Sequence, residues 1–234
     1  MDSYISIDQG TTSSRAILFG EDGTILNSFQ EEFKQIYPKP GWVEHDPEKI
    51  WETTKSVLSD LYNSEIKKKN NIRGIGITNQ RETTIVWDKK TGKPLYNAIV
   101  WQDRRTSDFC KKLVESGLEK KVINKSGLVI DPYFSASKIK WILDNIPDAR
   151  EKANKNEIFF GTVDSFLLWR LTDKKVHATD ATNASRTSLY NIEKLEWDDE
   201  LLSIFDVPKS MMPKVMDSNS DFGKVSKNVM NFEL

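Results

Sequence analysis

The opening stretch most constrains the fold: three short runs, Tyr4 to Ile7, Arg15 to Phe19 and Thr24 to Phe29, are rich in strand formers and separated by a hydroxyl-rich loop and by Asp22-Gly23. Strand-forming runs broken by such turn residues read as hairpins, so the chain is expected to begin as an antiparallel meander. A ribbon of this kind needs a cover for its apolar face. The cover is announced by Asp46-Pro47, an acceptor side chain for a helix N-cap followed by proline at the first helical position. The helix that follows carries an apolar stripe at Ile50, Val57, Leu58 and Leu61, predicted to pack on the meander.

Ile72 to Thr78, in which isoleucines alternate with small residues, reads as a buried strand. Thr83 to Trp87 and Leu95 to Trp101 read as two more, around a turn at Thr91-Gly92. From Arg104 the pattern is mostly helical, with helices predicted over Lys112 to Val122, Ser135 to Asn145 and Val163 to Leu171. Asp164 stands near the start of the last, where a negative charge suits the helix dipole. Strand-like stretches at Thr187 to Asn191 and Phe222 to Ser226 follow, and Lys67 to Lys69 reads as a solvated loop. Alternating strands and helices make the fold class α/β.

The 34 Lys and Arg against 35 Asp and Glu exclude the basic excess of a nucleic-acid or anionic-membrane surface, so any bound anion must be held locally. The single Cys110 cannot close an internal disulfide, and Met1-Asp2-Ser3-Tyr4 lacks the regions of a signal peptide. No apolar run approaches the ~20 residues needed to span a bilayer. These features read as a cytoplasmic protein with neither nucleic-acid nor membrane partners.

Three groups of residues point to chemistry. In Asp8-Gln9-Gly10-Thr11-Thr12-Ser13-Ser14-Arg15 a glycine, expected to lend backbone freedom, precedes four hydroxyl residues whose side chains and N–H groups can converge on one anion beside Arg15. No Walker A string occurs, and Gly74-Ile75-Gly76 lacks the third glycine of a dinucleotide fingerprint. Asp8, at a strand end, suits a magnesium ion held through water. The alternative is a polar hairpin turn that binds nothing. In Asn79-Gln80-Arg81-Glu82-Thr83, Arg81 and Glu82 can grip one polyol as donor and acceptor only if the backbone turns between them, since adjacent strand residues face opposite ways; the alternative is a surface ion pair. Trp101 and Tyr133 offer apolar faces with polar tips, suited to a polyol's carbon side or to packing. His45 and His177 have no nucleophile or metal partner at a recognisable spacing.

The segments Asp8 to Arg15, Tyr37 to Asp46, Ile75 to Trp87, Asn97 to Arg105, Gly127 to Phe134 and Thr182 to Thr187 together resemble the carbohydrate kinases of the FGGY type, and among them those acting on glycerol. The resemblance implies an actin-like ATPase, ribonuclease H-like fold with a mixed sheet flanked by helices. It also implies ATP-dependent phosphorylation of glycerol to sn-glycerol 3-phosphate with ATP and Mg2+ as cofactors. On matched positions, Thr11, Thr12 and Ser13 meet the nucleotide phosphates with Arg15 as their basic partner. Arg81, Glu82 and Tyr133 contact glycerol, and Trp101 walls the pocket. The family's catalytic aspartate lies in a G-D-Q or G-N-Q motif, and neither string occurs here. The resemblance therefore makes residues 1 to 234 the N-terminal domain, with the base expected beyond Leu234, no catalytic residue in this chain, and a homo-oligomer expected of the complete enzyme. A kinase for a related sugar or polyol, and a catalytically inactive polyol-binding module, are the competing readings.

Overall fold

The computed structural model describes residues 2–66, 71–230, 232 and 234. The meander forms as expected: β1 (Asp2–Gln9), β2 (Ser13–Gly20) and β3 (Ile25–Glu32) pair antiparallel in chain order. The short strand β4 (Glu44–His45) precedes α1 (Pro47–Ile66), whose first turn is capped by Asp46 Oδ1 accepting the Glu48 N–H at 2.9 Å. Strand β5 (Asn71–Asn79) then lies parallel to β1, giving a mixed four-stranded sheet in the order β3-β2-β1-β5. Ile5, Ile7, Ala16 and Leu18 are buried against Ile50, Val57, Leu58 and Leu61 of α1, so the predicted stripe covers the predicted face.

The remaining chain runs through β6 (Ile85–Asp88), β7 (Ala98–Ile99), α2 (Ser107–Glu115), α3 (Glu119–Ser126), α4 (Ser135–Asn145), α5 (Ala149–Asn154), β8 (Ile158–Gly161), α6 (Val163–Leu171), β9 (Ala178–Asp180), α7 (Ala181–Ala184), β10 (Tyr190–Asn191), β11 (Glu196–Trp197), α8 (Asp199–Ile204) and β12 (Lys214–Met216). Among the described residues two apolar clusters hold it together. One joins the four-stranded sheet and α1 to Trp87, Phe166 and Trp169, and the other packs α4, α5 and α8 around Phe160 and Ile139.

Several expectations need correction. β5 lies at the edge of the sheet, so Ile75 and Ile77 are only half-buried, where a buried strand was predicted. The helix predicted over Lys112 to Val122 is two helices, because the chain turns at Gly117 with φ 76. Leu95 to Trp101 and Thr187 to Asn191 each keep only two strand residues, and Phe222 to Ser226 none. The predicted loop at Lys67 to Lys69 lies outside the described residues.

Asp164 stands in the first turn of α6 as expected, but inside the fold rather than at its surface. It is buried and accepts hydrogen bonds from Thr162 Oγ1 and, at 2.6 Å, from Thr179 Oγ1.

Arg105 ties the long connection after β7 to the strand before α1. Its Nη2 donates to Glu44 Oε1 at 2.7 Å and to Asp103 Oδ2 at 2.8 Å, and its guanidinium carbon sits 3.8 Å from the Trp42 ring centre and 4.6 Å from that of Trp141. Glu44 also accepts from Tyr96 and Asn97, and Asp103 from the Val43 N–H, so each buried carboxylate is multiply satisfied.

Burial pushes His45 and His177 down to about 4 and Asp164 up to about 6. These effects have opposite signs. Each histidine is held neutral in the fold while its unfolded counterpart titrates near 6.5, so its contribution is full above 6.5 and is lost as pH falls toward 4, by about 3 kcal/mol. Asp164 keeps its proton up to about pH 6, where its unfolded counterpart loses it near 3.8, so its contribution is full below 3.8 and is lost as pH rises toward 6. Stability is therefore expected to fall on acidification from pH 6.5 to 4, and Asp164→Asn, which removes the opposing contribution, is expected to steepen that fall. Urea denaturation across this range checks both, and a wild-type stability that rises on acidification would contradict the assignment.

Candidate functional site

Because β1 and β5 are parallel, their carboxyl ends lie side by side, and the hydroxyl loop and the Arg81-Glu82 turn leave from those two ends. Gln80 joins them. Its N–H donates to Gln9 O at 2.7 Å, one residue past the end of the ladder. Its side-chain nitrogen lies 3.1 Å from both Gln9 Oε1 and Gly10 O and 3.2 Å from His45 Nδ1, so two amide protons are shared among three acceptors. Gln80 Oε1 accepts from the Thr83 hydroxyl at 3.0 Å, and that hydroxyl oxygen accepts the Trp101 N–H at 3.3 Å. Trp101 closes the circuit by donating its indole N–H to Thr11 Oγ1 at 3.1 Å.

The hydroxyl loop is a hairpin, closed by the Gly10 N–H donating to Ser13 O at 2.9 Å. Thr12 is exposed and Ser13 half-buried. The four hydroxyls do not converge as expected: Ser14 points under the sheet to Thr53, 2.8 Å away, while Thr11 is taken by Trp101. Gly10 is not among the glycines with positive φ, and a Cβ added there would lie 3.4 Å from Ser13 O, so the turn does not demand glycine's special backbone freedom. Asp8 and Arg15 stand directly opposite across the β1–β2 ladder and so share the sheet face away from α1; Arg15 Nε donates to Gln30 Oε1 at 2.9 Å.

At the second loop the backbone turns as the polyol reading required. Glu82 adopts φ 62, which leaves Arg81 exposed and carries Glu82 inward to 3 % exposure. A non-glycine residue in this region costs about 1 to 3 kcal/mol and persists only where its surroundings hold it. They do so here: the Glu82 carbonyl accepts from Ser135 Oγ at 3.1 Å and its carboxylate accepts from Arg186 Nε at 2.6 Å. The Arg186 guanidinium lies over Phe134, at 4.9 Å, and Tyr133, at 5.7 Å, and the Tyr133 ring lies 5.5 Å from Trp101. A carboxylate, a guanidinium and two aromatic faces thus form one contiguous wall reaching from Glu82 to Thr11.

Residues 3–232 match the N-terminal domain of the FGGY family of carbohydrate kinases. The chain belongs to this family. It is 55% identical over 235 residues to a glycerol kinase of Petrotoga mobilis, covering 100% of this chain and 47% of that one, and 58% identical over 229 residues to a glycerol kinase of Paraburkholderia xenovorans, covering 97% and 46%. Among solved structures, Plasmodium falciparum glycerol kinase with ADP superposes with a TM-score of 0.94 at 35% identity, over 100% of this chain and 47% of that one. The chain spans about half the length of the curated relatives it matches. Its fold is the actin-like ATPase fold of FGGY kinases.

Within this FGGY domain, sequence reasoning passed over Gln80 and Arg186, although both lie in segments that carried the resemblance. Gln80 sits in the Asn79 to Thr83 string, but nothing in that string says its amide turns back toward Gly10. Arg186 lies 104 residues from Glu82, and no local pattern pairs them. A cavity of about 450 Å³ runs along β5 beside Gly74, Gly76, Asp164 and Asn183, and none of the sequence-derived site residues lines it. Arg186→Met is expected to leave the Glu82 carboxylate buried without its cation and to lower stability by about 1 to 3 kcal/mol, with partial recovery in Arg186→Lys. Equilibrium denaturation checks this; unchanged stability in Arg186→Met would sink the pairing as the support of the Glu82 turn.

Proposed function

We propose that residues 1–234 form the phosphate-loop and polyol half of an ATP-dependent glycerol kinase, which converts glycerol to sn-glycerol 3-phosphate. The observation that carries this reading is the hydrogen-bonded junction of the two loops through Gln80 and Trp101, because phosphoryl transfer rests on holding two reactants in register. Glu82 offers hydroxyl protons an acceptor whose Oε1 already engages Arg186, leaving the second oxygen for the substrate. Exposed Arg81 supplies donors to hydroxyl oxygens, and Tyr133 and Trp101 meet the carbon side. Thr11, Thr12 and Ser13 receive the nucleotide phosphates, with Arg15 adding charge.

The domain is expected to act with a second half of similar size. In transfer, a glycerol oxygen bonds to the terminal phosphorus as the bond to ADP breaks, and the hydroxyl proton passes to a carboxylate outside this chain. Magnesium fits Asp8 in kind, since it takes one or two carboxylates and completes its shell with phosphate oxygens and water. Among the described residues no group of three acidic, histidine or cysteine side chains is gathered to hold a bare ion. When bound with the nucleotide, magnesium neutralises phosphate charge. No helix among the described residues is long and apolar enough to cross a membrane; a cytoplasmic location and a homo-oligomeric complete enzyme belong to this same proposal.

The test joins this chain to the second half of the Petrotoga mobilis relative and follows ATP-dependent formation of glycerol 3-phosphate. Glu82→Gln is expected to raise glycerol KM by about 5- to 150-fold with ATP KM unchanged, the loss of about 1 to 3 kcal/mol of acceptor strength. Arg15→Ala is expected to lower kcat while glycerol KM holds. Glycerol binding without turnover in the folded chimera would favour an inactive polyol-binding module, and turnover confined to a larger polyol or sugar would replace the substrate.

A further inference from the structure

Lys138 lies on α4, behind the segment that carries Tyr133, and its side chain is fully buried. Its Nζ donates to three successive carbonyls, Pro132 O at 2.6 Å, Tyr133 O at 2.5 Å and Phe134 O at 3.0 Å. An ammonium has three N–H donors and no acceptor, so this one segment satisfies it completely. The carbonyls of Pro132 and Tyr133 precede the helix and have no place in its hydrogen-bond ladder. From the other side, Asp131 Oδ1 accepts the Tyr133 N–H at 2.8 Å and Arg104 Nη1 at 3.0 Å. The backbone of Tyr133 is therefore gripped on both its N–H and its carbonyl.

Burying a cation is costly, and burial pushes Lys138 down to about 7 while Asp103, Glu82 and Asp131 favour the charged form. A methionine of similar length would fill the same space without that cost. What it could not do is hold the three carbonyls.

We propose that Lys138 is a positioning residue for the polyol site, fixing the Pro132–Phe134 backbone so that the Tyr133 ring stands against Trp101 and beneath Arg186. This rests on the glycerol-kinase reading, in which Tyr133 meets the substrate. Lys138 touches no reacting atom and acts on glycerol through the placement of Tyr133.

The experiment is a double-mutant cycle in the chimera described above, reading glycerol KM, ATP KM and kcat separately. Lys138→Met is expected to raise glycerol KM on the order of tenfold, with ATP KM unchanged, because a small displacement of a contact residue is felt at the substrate it positions. In a Tyr133→Ala background the same substitution is expected to change glycerol KM less than twofold, since residues acting through one contact are not additive. Lys138→Gln, which keeps two donors on a shorter stem, is expected to fall between and serves where Lys138→Met does not fold. Additive effects, or an unchanged glycerol KM in a folded Lys138 variant, overturn the proposal. So does failure of both variants to fold, which assigns the lysine to the fold alone. Failure of the underlying reading is seen separately, as absence of glycerol phosphorylation by the unsubstituted chimera or indifference of glycerol KM to Tyr133→Ala.

Discussion

The parallel pairing of β1 with β5 is the constraint on which the candidate site depends. The pairing runs to Gln9 and Asn79 at the strand ends, and the Gln80 N–H extends it by one bond to Gln9 O. A parallel neighbour requires a crossover, and α1 supplies it while burying the apolar face of the meander. Had β5 returned antiparallel, its carboxyl end would lie at the far end of β1, some eight residues from Gly10, and Gln80 could not bridge the loops. The juxtaposition of a hydroxyl loop with a charged turn is thus a product of topology first and side chains second.

Glu82 adds the local half of the argument. Its left-handed backbone is what turns Glu82 inward while Arg81 stays exposed, as the proposed polyol grip needs, and the bonds that hold it come from elements distant in sequence, Ser135 at the start of α4 and Arg186 after α7. The strain is therefore held only once the helical region has docked on the sheet. The Arg105 network works in the same direction, since it anchors the connection carrying Trp101 between two tryptophans and two carboxylates. A buried ion pair is weak support for stability in itself, but it specifies one geometry. Here the geometry it specifies is the base of the aromatic wall.

The meander, α1 and its stripe, α4 and α6 were legible in the sequence because each is encoded locally, by period, caps and turns. The candidate site residues were legible as residue types on two loops, while the hydrogen bonds and ion pairs they make were not. Ser14 illustrates why: it looks like Thr12 and Ser13 in sequence, yet it occupies the first inward position of β2 and so bonds to α1. Asp164 looks like an ordinary first-turn carboxylate, and nothing near it in sequence signals the approach of Thr179 from β9. Gly10 and the split between α2 and α3 failed for a related reason, since a glycine's presence does not reveal its φ. Long-range partners such as Glu82 and Arg186 leave no local trace at all.

The circuit from Gln80 through Thr83 and Trp101 to Thr11 also bears on how such a site tolerates motion. Transfer between two bound molecules requires their reacting atoms about 3 to 3.5 Å apart and aligned, so independent wandering of two loops is more damaging than their joint displacement. Separate loops would each fluctuate on their own, and errors in the distance between ligands would add. Hydrogen bonds that run from one loop to the other make the displacements correlated, because the indole that walls one side is bonded to a hydroxyl of the other. The network contributes little charge to the site. Its effect is to tie the hydroxyl loop to the Arg81-Glu82 turn, so that on the proposed reading the two ligand positions would move together.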